Sequence, residues 1–303
     1  MCLFDVSIGI SLQLQKQAFL RDTFAITHEL LGRLYAKFKD VSNARQQIKA
    51  ILETHRAEKN EGKTSPIKLD SQFGLFAYVY YYFGSRLALI DEFEMGKLNI
   101  FNDKTRKPLV WGIGAGAAPD LLVLAEYAEY WQCPFKYVHM DLNPAWQEVV
   151  DEVERMVNRA VSQLVDVQFK SLDLCDVGTG LDAAEISKVD IFTFIYCLKG
   201  TQCEAKWQFV ERMFQSAKLG ALFYLLDSGG RGGVDDVASQ WDKFASAHSL
   251  EHVSQGTAQE ITPKYNYTEH LGLYREAFGK DVALRSSPVW RISEKKSVPT
   301  IDV

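Results

Sequence analysis

From residue 108 onward, short apolar runs alternate with segments of helical periodicity, and this alternation restricts the possible folds more than any other feature of the chain. Apolar runs of this length are typical of strands buried on both faces, as in a parallel sheet with helices on either side. We therefore predict an α/β domain with seven strands, at 109–113, 137–140, 167–169, 189–195, 221–226, 251–254 and 289–293. Its helices are predicted at 119–131, 144–164, 204–219, 234–248 and 268–278.

The part of the chain before residue 108 shows a different pattern. Apolar residues recur there at helical spacing in two series and predict two amphipathic helices: Leu20, Phe24, Leu31, Tyr35 and Phe38, then Ile48, Ile51 and Leu52. Segment 56–66, RAEKNEGKTSP, is polar and broken by glycine and proline, so we interpret it as an exposed connection. The aromatic segment 73–97 is predicted to be helical, with an interruption near Gly84. These features divide the chain into a helical N-terminal segment (1–64), an aromatic helical cap or linker (65–107) and the α/β domain (108–303).

A glycine-rich turn follows the first predicted strand of the domain. The sequence from Gly112 to Ala118 is GIGAGAA, and Pro119 then occupies the first turn of a predicted helix, where a missing N–H is tolerated. Glycine permits positive φ angles and lets a ligand approach the backbone, whose free helix N–H groups can donate hydrogen bonds. The turn therefore predicts a docking site for a polar or anionic group. The alternative is a turn that serves only to pack helix against sheet.

Acidic residues end the second and third predicted strands. Asp141 closes the apolar run KYVHMD, where a carboxylate can accept two hydrogen bonds from the vicinal hydroxyls of a ribose. The alternative role for Asp141 is to cap the helix that begins near Pro144. Asp173 follows the third strand and could accept a hydrogen bond from an adenine amino group, or could simply be a turn residue. The glycine turn and the two acidic strand ends together predict a nucleoside site.

The order of these features resembles the class I S-adenosylmethionine (SAM)-dependent methyltransferases over roughly residues 108–293. Two further runs contribute to the resemblance, the fourth strand in VDIFTFIYCL and the fifth in GALFYLLDS. The resemblance implies a Rossmann-like, mostly parallel sheet of seven strands whose last strand is antiparallel, with helices on both faces and a helical N-terminal segment in front. It also implies SAM as the cofactor and methyl transfer as the reaction.

The resemblance further implies which residues contact the cofactor. Gly114 and Gly116, with Gly112 just before them, would flank its methionine part, and Asp141 would bind its ribose. The adenine would be bordered by Leu172 or Asp173, and the fourth strand would end beside the transferred methyl, at Ile195, Tyr196 and Cys197.

Two positions depart from the family pattern. Gly112 stands where the family usually has an acidic residue, and Ala118 replaces the third glycine of the turn. The missing carboxylate puts in doubt how the loop and the amino group of the cofactor are anchored. No NPPY or DPPY tetrapeptide follows the fourth strand, so amino-methylation of a nucleobase or glutamine by that route is not supported.

No catalytic residue is required by the chemistry. Methyl transfer from a sulfonium is an in-line displacement, for which holding the nucleophile close to the methyl in a desolvated pocket can suffice. Tyr196, Asp227 and His139 are candidates by position alone. Their alternative roles are packing for Tyr196, a strand-end turn for Asp227 and a core position for His139.

Residues of the aromatic segment could complete the pocket. Rings from Phe76 to Phe83 could close over the cofactor, because the positive charge of a sulfonium is attracted to aromatic faces. Arg86 could pair with the carboxylate of the cofactor. The alternative is that this aromatic run forms part of the core.

Two other functions are consistent with the same motifs. The residues Gly112-x-Gly114-x-x-Ala117 also fit a dinucleotide fingerprint, which would make the chain an NAD(P)-dependent oxidoreductase, although Asp141 lies well beyond the ~20-residue spacing of the ribose-binding acid. Alternatively, the protein could be an inactive member of the methyltransferase fold that binds a protein partner through its N-terminal helices.

Composition narrows the choice of partners and compartment. A net charge of -5 and a pI of about 5.8 do not favour nucleic acid, so the predicted acceptor is a small molecule or a protein. The five cysteines show no C-x2-C spacing; we predict free thiols and no metal site. The start of the chain lacks the features of a signal peptide, and no run approaches the ~18 apolar residues of a membrane span. We expect a soluble, cytoplasmic protein.

Overall fold

The computed structural model describes residues 27–60, 67–92, 99–103, 105–160, 165–176, 181–201, 203–228, 237–257, 274, 277–278 and 288–297. Helices dominate its first part. Residues 27–36 form α1, and the elements that follow are α2 (Ala44–Asn60), α3 (Gln72–Tyr78), a π-helical turn (Val79–Phe83), α4 (Gly84–Glu92) and a 3-10 turn (Asn99–Asn102).

Strands and helices alternate from residue 109 onward. The elements are β1 (Leu109–Ile113), α5 (Pro119–Trp131), β2 (Phe135–Asp141), α6 (Trp146–Ala160), β3 (Val165–Ser171), α7 (Ala183–Ile186), β4 (Ile191–Ile195), α8 (Ala205–Ser216), β5 (Leu222–Ser228), α9 (Val237–Ala247), β6 (Leu250–Thr257) and β7 (Pro288–Lys295).

Within the described residues, the seven strands form one sheet in the order β3-β2-β1-β4-β5-β7-β6. Strands β1 to β5 run parallel, and β7 pairs antiparallel with both β5 and β6. The predicted seven-stranded, mostly parallel sheet is confirmed. The bounds of β1 and α5 are those predicted, because a proline and a clean switch of apolar period mark them in the sequence. Most of the predicted helix 268–278 lies outside the described residues. Its described members, Tyr274, Ala277 and Phe278, are helical.

Residues 73–92 of the aromatic segment are helical, as predicted, and the irregularity comes just before Gly84; residues 93–97 lie outside the described residues. Ser71 caps α3 by accepting a hydrogen bond from the Gly74 amide, and the π-helical turn joins α3 to α4. The rings of Tyr78 and Tyr82 contact each other, and Arg86 lies over both. The segment therefore presents these three side chains together, toward the site described below.

The N-terminal helices pack beside the sheet through one continuous apolar core. Buried residues from α1 to α4 and from α5, α6 and the sheet belong to the same cluster. Ion pairs add to this packing, because Arg33 of α1 lies 3.3 Å from Glu152 of α6, and Lys37 lies 2.6 Å from Glu148. The division into three parts stays a prediction. The predicted connection 56–66 is wrong for residues 56–60, which continue α2 to Asn60, because the glycine and proline that interrupt the segment come only at positions 62 and 66. Residues 61–66 lie outside the described residues.

The prediction that all cysteines are free thiols is wrong for one pair. Cys175, after β3, and Cys203, before α8, form a disulfide, because the fold brings together two loops that are distant in sequence. Cys133 and Cys197 are free thiols, as predicted, and Cys2 lies outside the described residues. In the part of the chain that the structure describes, no helix combines the length and apolar character needed to cross a bilayer.

Candidate functional site

The glycine-rich turn leaves the carboxyl end of β1 through three residues with left-handed backbone. Gly114 has φ 57°, Gly116 has φ 53° and Ala118 has φ 51°. Ala118 stands at the N-cap of α5 and makes no side-chain cap hydrogen bond. A glycine would adopt this left-handed conformation without strain. For Ala118, which has a Cβ, the conformation costs about 1 kcal/mol.

The surroundings of Gly112 leave no room for a side chain at this position. A Cβ on Gly112 would lie 2.0 Å from the hydroxyl oxygen of Tyr137 and 2.6 Å from its Cζ. The tyrosine side chain thus fills the space that an acidic side chain at position 112 would need. Gly116 differs, because the nearest atom to its Cβ position is the Tyr78 hydroxyl at 3.7 Å. A Cβ on Gly116 would therefore make an ordinary van der Waals contact.

Asp141, at the end of β2, is bound to the glycine turn. Its Oδ2 accepts a hydrogen bond from the Gly116 amide at 3.0 Å, and its Oδ1 accepts one from the Asn143 amide at 3.0 Å. A carboxylate offers about four lone-pair sites, so each oxygen can still accept one further donor. The bond to Asn143 is a turn that precedes α6, and Asn143 rather than Asp141 accepts the Ala145 amide at 3.0 Å, so the alternative role of Asp141 as a helix cap is wrong. The next residue, Leu142, is 59% exposed, an apolar side chain at the same edge of the sheet.

His139 contacts the carbonyl group of Gly116. Its Nε2 lies 2.7 Å from the Gly116 carbonyl oxygen, its ring stacks on Phe169, and its Nδ1 has no hydrogen-bond partner among the described residues. Burial lowers the pKa of His139, against the opposing effects of the Gly116 carbonyl and Asp141. A neutral ring with the proton on Nε2 fits this contact. The geometry favours a core histidine that supports the turn.

Stability should depend on pH through His139. Because its folded pKa is lowered, the unfolded chain takes up a proton below about pH 6.5 that the folded chain does not, and the free energy of unfolding falls as pH falls. We expect wild type to lose stability below pH 6.5 more steeply than His139→Gln, by at most ~1.4 kcal/mol per pH unit. Urea unfolding of both proteins across this range measures the difference; parallel profiles would contradict the prediction.

The residues after β3 meet those after β2. The Leu172 amide donates to the Asp141 carbonyl at 3.1 Å, and the Leu172 side chain is buried. Asp173 accepts a hydrogen bond from the Cys175 amide at 2.8 Å, which is the geometry of a turn. Leu172 therefore lies beside the acidic strand end, while the Asp173 carboxylate is engaged with its own loop.

The carboxyl end of β4 lies against the glycine turn. Ile195 is buried, and Tyr196 takes the left-handed conformation at φ 53° while its amide donates to the Leu226 carbonyl at 2.7 Å. A Cβ on Gly114 would lie 2.6 Å from the Cβ of Cys197, which places these two residues in direct contact. Burial raises the pKa of the Cys197 thiol well above its usual range, so this group stays protonated. Left-handed backbone at a non-glycine residue is often retained at functional sites.

Asp227, at the end of β5, is engaged by two backbone amides. Its carboxylate accepts hydrogen bonds from Lys199 at 3.1 Å and from Ser228 at 2.7 Å. Burial raises its pKa, and these hydrogen bonds oppose the shift. The geometry indicates that Asp227 anchors the loop that follows β4.

Arg86 lies in a box of tyrosine rings above β4. Its guanidinium carbon is 5.0 Å from the ring centre of Tyr78, 4.7 Å from that of Tyr82 and 5.1 Å from that of Tyr196. It donates a hydrogen bond to the Tyr78 hydroxyl, which is the group nearest to the Cβ position of Gly116. Among the described residues, no ion pair joins Arg86 to a carboxylate. The box thus holds a half-buried cation next to the glycine turn.

The structure brings most of the predicted site residues to one edge of the sheet: Gly112, Gly114, Gly116, Asp141, Leu172, Ile195 and Tyr196. Of the aromatic run 76–83, Tyr78 lies nearest the turn, whereas Phe76 and Phe83 are buried in the core. Sequence reasoning missed two neighbours, Asp120 and Leu142. An acidic residue in the first turn of α5 and an apolar residue after Asp141 were the available signals.

Comparison with known proteins gives matches among solved structures. No family model and no curated protein matches the chain. It is similar to the crystal structure of CurJ carbon methyltransferase, with a TM-score of 0.50 and 13% identity over 89% of this chain and 71% of that one. It is also similar to the citrinin polyketide synthase CMeT domain, with a TM-score of 0.52 and 14% identity over 88% and 69% of the two chains. At these identities the likeness concerns the fold.

Proposed function

We propose that this chain, which has the Rossmann-like fold of class I SAM-dependent methyltransferases, binds SAM and transfers its methyl group to an acceptor. One observation carries the proposal. The carboxylate that ends β2 and the glycine turn that ends β1 meet in a hydrogen bond at the carboxyl edge of the sheet, where ligands bind in open α/β sheets.

The residues at this edge fit the parts of SAM. Asp141 has free acceptor capacity for two ribose hydroxyls, and Leu142 and Leu172 offer apolar contact to the adenine. The turn at Gly114 and Gly116 leads into the N-terminus of α5, whose uncapped amides attract the polar methionine part. When bound, SAM supplies a methyl group activated by a sulfonium.

The chain itself provides positioning and exclusion of water. The rings of Tyr78, Tyr82 and Tyr196 line the space above the turn, where they surround the Arg86 guanidinium. Tyr196 is held by its strained backbone at the end of β4, where its side chain can orient an acceptor, and Asp227 fixes the loop beside it. No proton acceptor has to be assigned, because orientation and proximity supply much of the rate enhancement in such displacements.

We propose a small molecule or a protein as the acceptor. The acidic balance of the chain argues against nucleic acid. The two similar structures, a carbon methyltransferase and a polyketide synthase CMeT domain, do not assign an acceptor to a chain that shares 13–14% of their residues. Binding of a protein partner through the N-terminal helices and a cytoplasmic location stay predictions.

Thermal unfolding with and without ligand tests the proposal. S-adenosylhomocysteine at 100 times its Kd should add ~2.7 kcal/mol to folding stability and raise Tm measurably. NAD and NADP at the same concentration should leave Tm unchanged. Stabilisation by NAD or NADP alone would favour the oxidoreductase, and absence of stabilisation by any of the three would favour a non-enzymatic binding protein.

Arg86 is expected to contribute to cofactor binding. Its half-buried guanidinium forms no ion pair with the described carboxylates, so the carboxylate of the cofactor can serve as its partner. Arg86→Glu should weaken S-adenosylhomocysteine binding by roughly 10-fold, which corresponds to ~1.4 kcal/mol, and Arg86→Lys should weaken it less. Isothermal titration calorimetry measures both. The exposed Arg155→Glu on α6 is the control; equal affinities for wild type and Arg86→Glu would contradict the assignment.

A further inference from the structure

A buried carboxylate lies directly beneath the glycine turn, at the second residue of α5. Asp120 is completely buried. It accepts hydrogen bonds from the Tyr137 hydroxyl at 3.0 and 3.1 Å and from the Thr193 hydroxyl at 2.5 Å. Burial raises its pKa, and these hydrogen bonds act against the shift.

This arrangement joins the elements that carry the turn. Tyr137 lies on β2, and Thr193 lies on β4 directly opposite Gly112 of β1. The two hydroxyls thus reach Asp120 from the two strands that flank β1, and Tyr137 does so by passing through the space left by the absent side chain of Gly112. Burying a carboxylate is costly unless it is hydrogen-bonded, and here the hydroxyls of Tyr137 and Thr193 donate to its two oxygens. A glycine within a buried strand lowers the stability of that strand. The close approach of Tyr137 explains why Gly112 stands there.

The charge of Asp120 also lies at the N-terminus of a helix. Ala118 provides no side-chain acceptor at the N-cap, and Asp120 brings a carboxylate to the first turn of α5, where negative charge is favourable. The glycine turn and the start of α5 therefore lie on a buried, hydrogen-bonded carboxylate.

We propose that Asp120 is a positioning residue for the methionine half of the cofactor, acting through the glycine turn, which it fixes against β2 and β4 by way of Tyr137 and Thr193. The inference rests on the proposed function. Asp141, at the end of the neighbouring strand, holds the nucleoside half instead. Asp120 therefore affects one part of the ligand and not the other.

A comparison of two ligands tests this division. S-adenosylhomocysteine contains both halves, whereas 5′-methylthioadenosine lacks the amino-acid part. Asp120→Asn removes the charge but keeps the shape, and the hydroxyls of Tyr137 and Thr193 can rotate to suit the amide. We expect its Kd for S-adenosylhomocysteine to rise about tenfold, as for the loss of one charged hydrogen-bonding group, and its Kd for 5′-methylthioadenosine to stay within about twofold.

Asp190→Asn is the matched control. The Asp190 carboxylate is also buried and accepts a hydrogen bond from the Leu109 amide at 2.9 Å, but it lies at the opposite end of β1. This variant should lose stability and keep wild-type affinity for both ligands. If Asp120→Asn does not fold, Thr193→Val, which removes one donor, should show a smaller change of the same selectivity.

Two outcomes would overturn the inference. In the first, Asp120→Asn weakens both ligands by the same factor, which is the behaviour of a merely structural residue. In the second, it leaves both affinities unchanged. Failure of the proposed function would be visible separately, because wild type itself would then not bind S-adenosylhomocysteine.

Discussion

Asp141→Ala is expected to weaken the binding of S-adenosylhomocysteine by about 100-fold while the protein stays folded. The variant loses the acceptor for two ribose hydroxyls, and a hydrogen bond to a charged group contributes about 1.5–3 kcal/mol. It also frees the Gly116 amide, which the carboxylate holds at 3.0 Å. Loss of the two hydrogen bonds to the ribose hydroxyls, each near the lower limit, amounts to ~3 kcal/mol. This is roughly the free energy of a 100-fold change in Kd.

Calorimetric titration of wild type and variant measures this effect. Asp166→Ala is the control, because Asp166 is an acidic residue of β3 that lies on the neighbouring strand away from the turn and pairs with Lys107 at 3.7 Å. Its affinity should equal that of wild type. If the Asp141→Ala protein is folded and binds S-adenosylhomocysteine as tightly as wild type, Asp141 does not bind the ribose.

Gly114→Ala is expected to destabilise the folded protein by about 3 kcal/mol. The left-handed backbone at φ 57° costs a residue with a Cβ about 1–2 kcal/mol. The new methyl group would also lie 2.6 Å from the Cβ of Cys197, and overpacking of this kind typically costs about 1–3 kcal/mol. Because the turn must shift to relieve the contact, binding of S-adenosylhomocysteine should be lost as well.

Gly220→Ala separates the two costs. Gly220 also has a left-handed backbone, at φ 78°, but no atom lies within 4 Å of its Cβ position. Urea unfolding should give ~1 kcal/mol for this variant, the strain alone. Combining Gly114→Ala with Cys197→Gly should recover part of the loss, whereas Cys197→Ala should not, because the contact involves the Cβ. Equal losses for Gly114→Ala and Gly220→Ala would contradict the packing described for the turn.

Local signals were sufficient to predict the sheet and the position of the site. The strand ending at Ile113, the helix beginning at Pro119 and the acidic end of β2 are each marked by neighbouring residues in the sequence. The carboxyl ends of parallel strands meet at one edge, so these motifs had to converge. The turn and the acidic strand end were thus predictable before the contact between Gly116 and Asp141 was seen.

The contacts that support the turn could not be predicted, because they depend on which side chains meet across strands. Gly112 is explained only by the position of the Tyr137 hydroxyl on β2. The role of Asp120 depends on Tyr137 and Thr193 reaching it from two different strands. The pairing of Cys175 with Cys203 likewise follows from the approach of two loops. The spacing of residues along the chain does not predict such contacts between distant segments.

Equilibrium dialysis of the wild-type protein against SAM labelled in its methyl group tests the central proposal most directly. We expect one SAM bound per chain, displaced by S-adenosylhomocysteine and retained in the presence of excess NAD. No retained label, or displacement of the label by NAD, would contradict SAM binding at the carboxyl edge of this sheet.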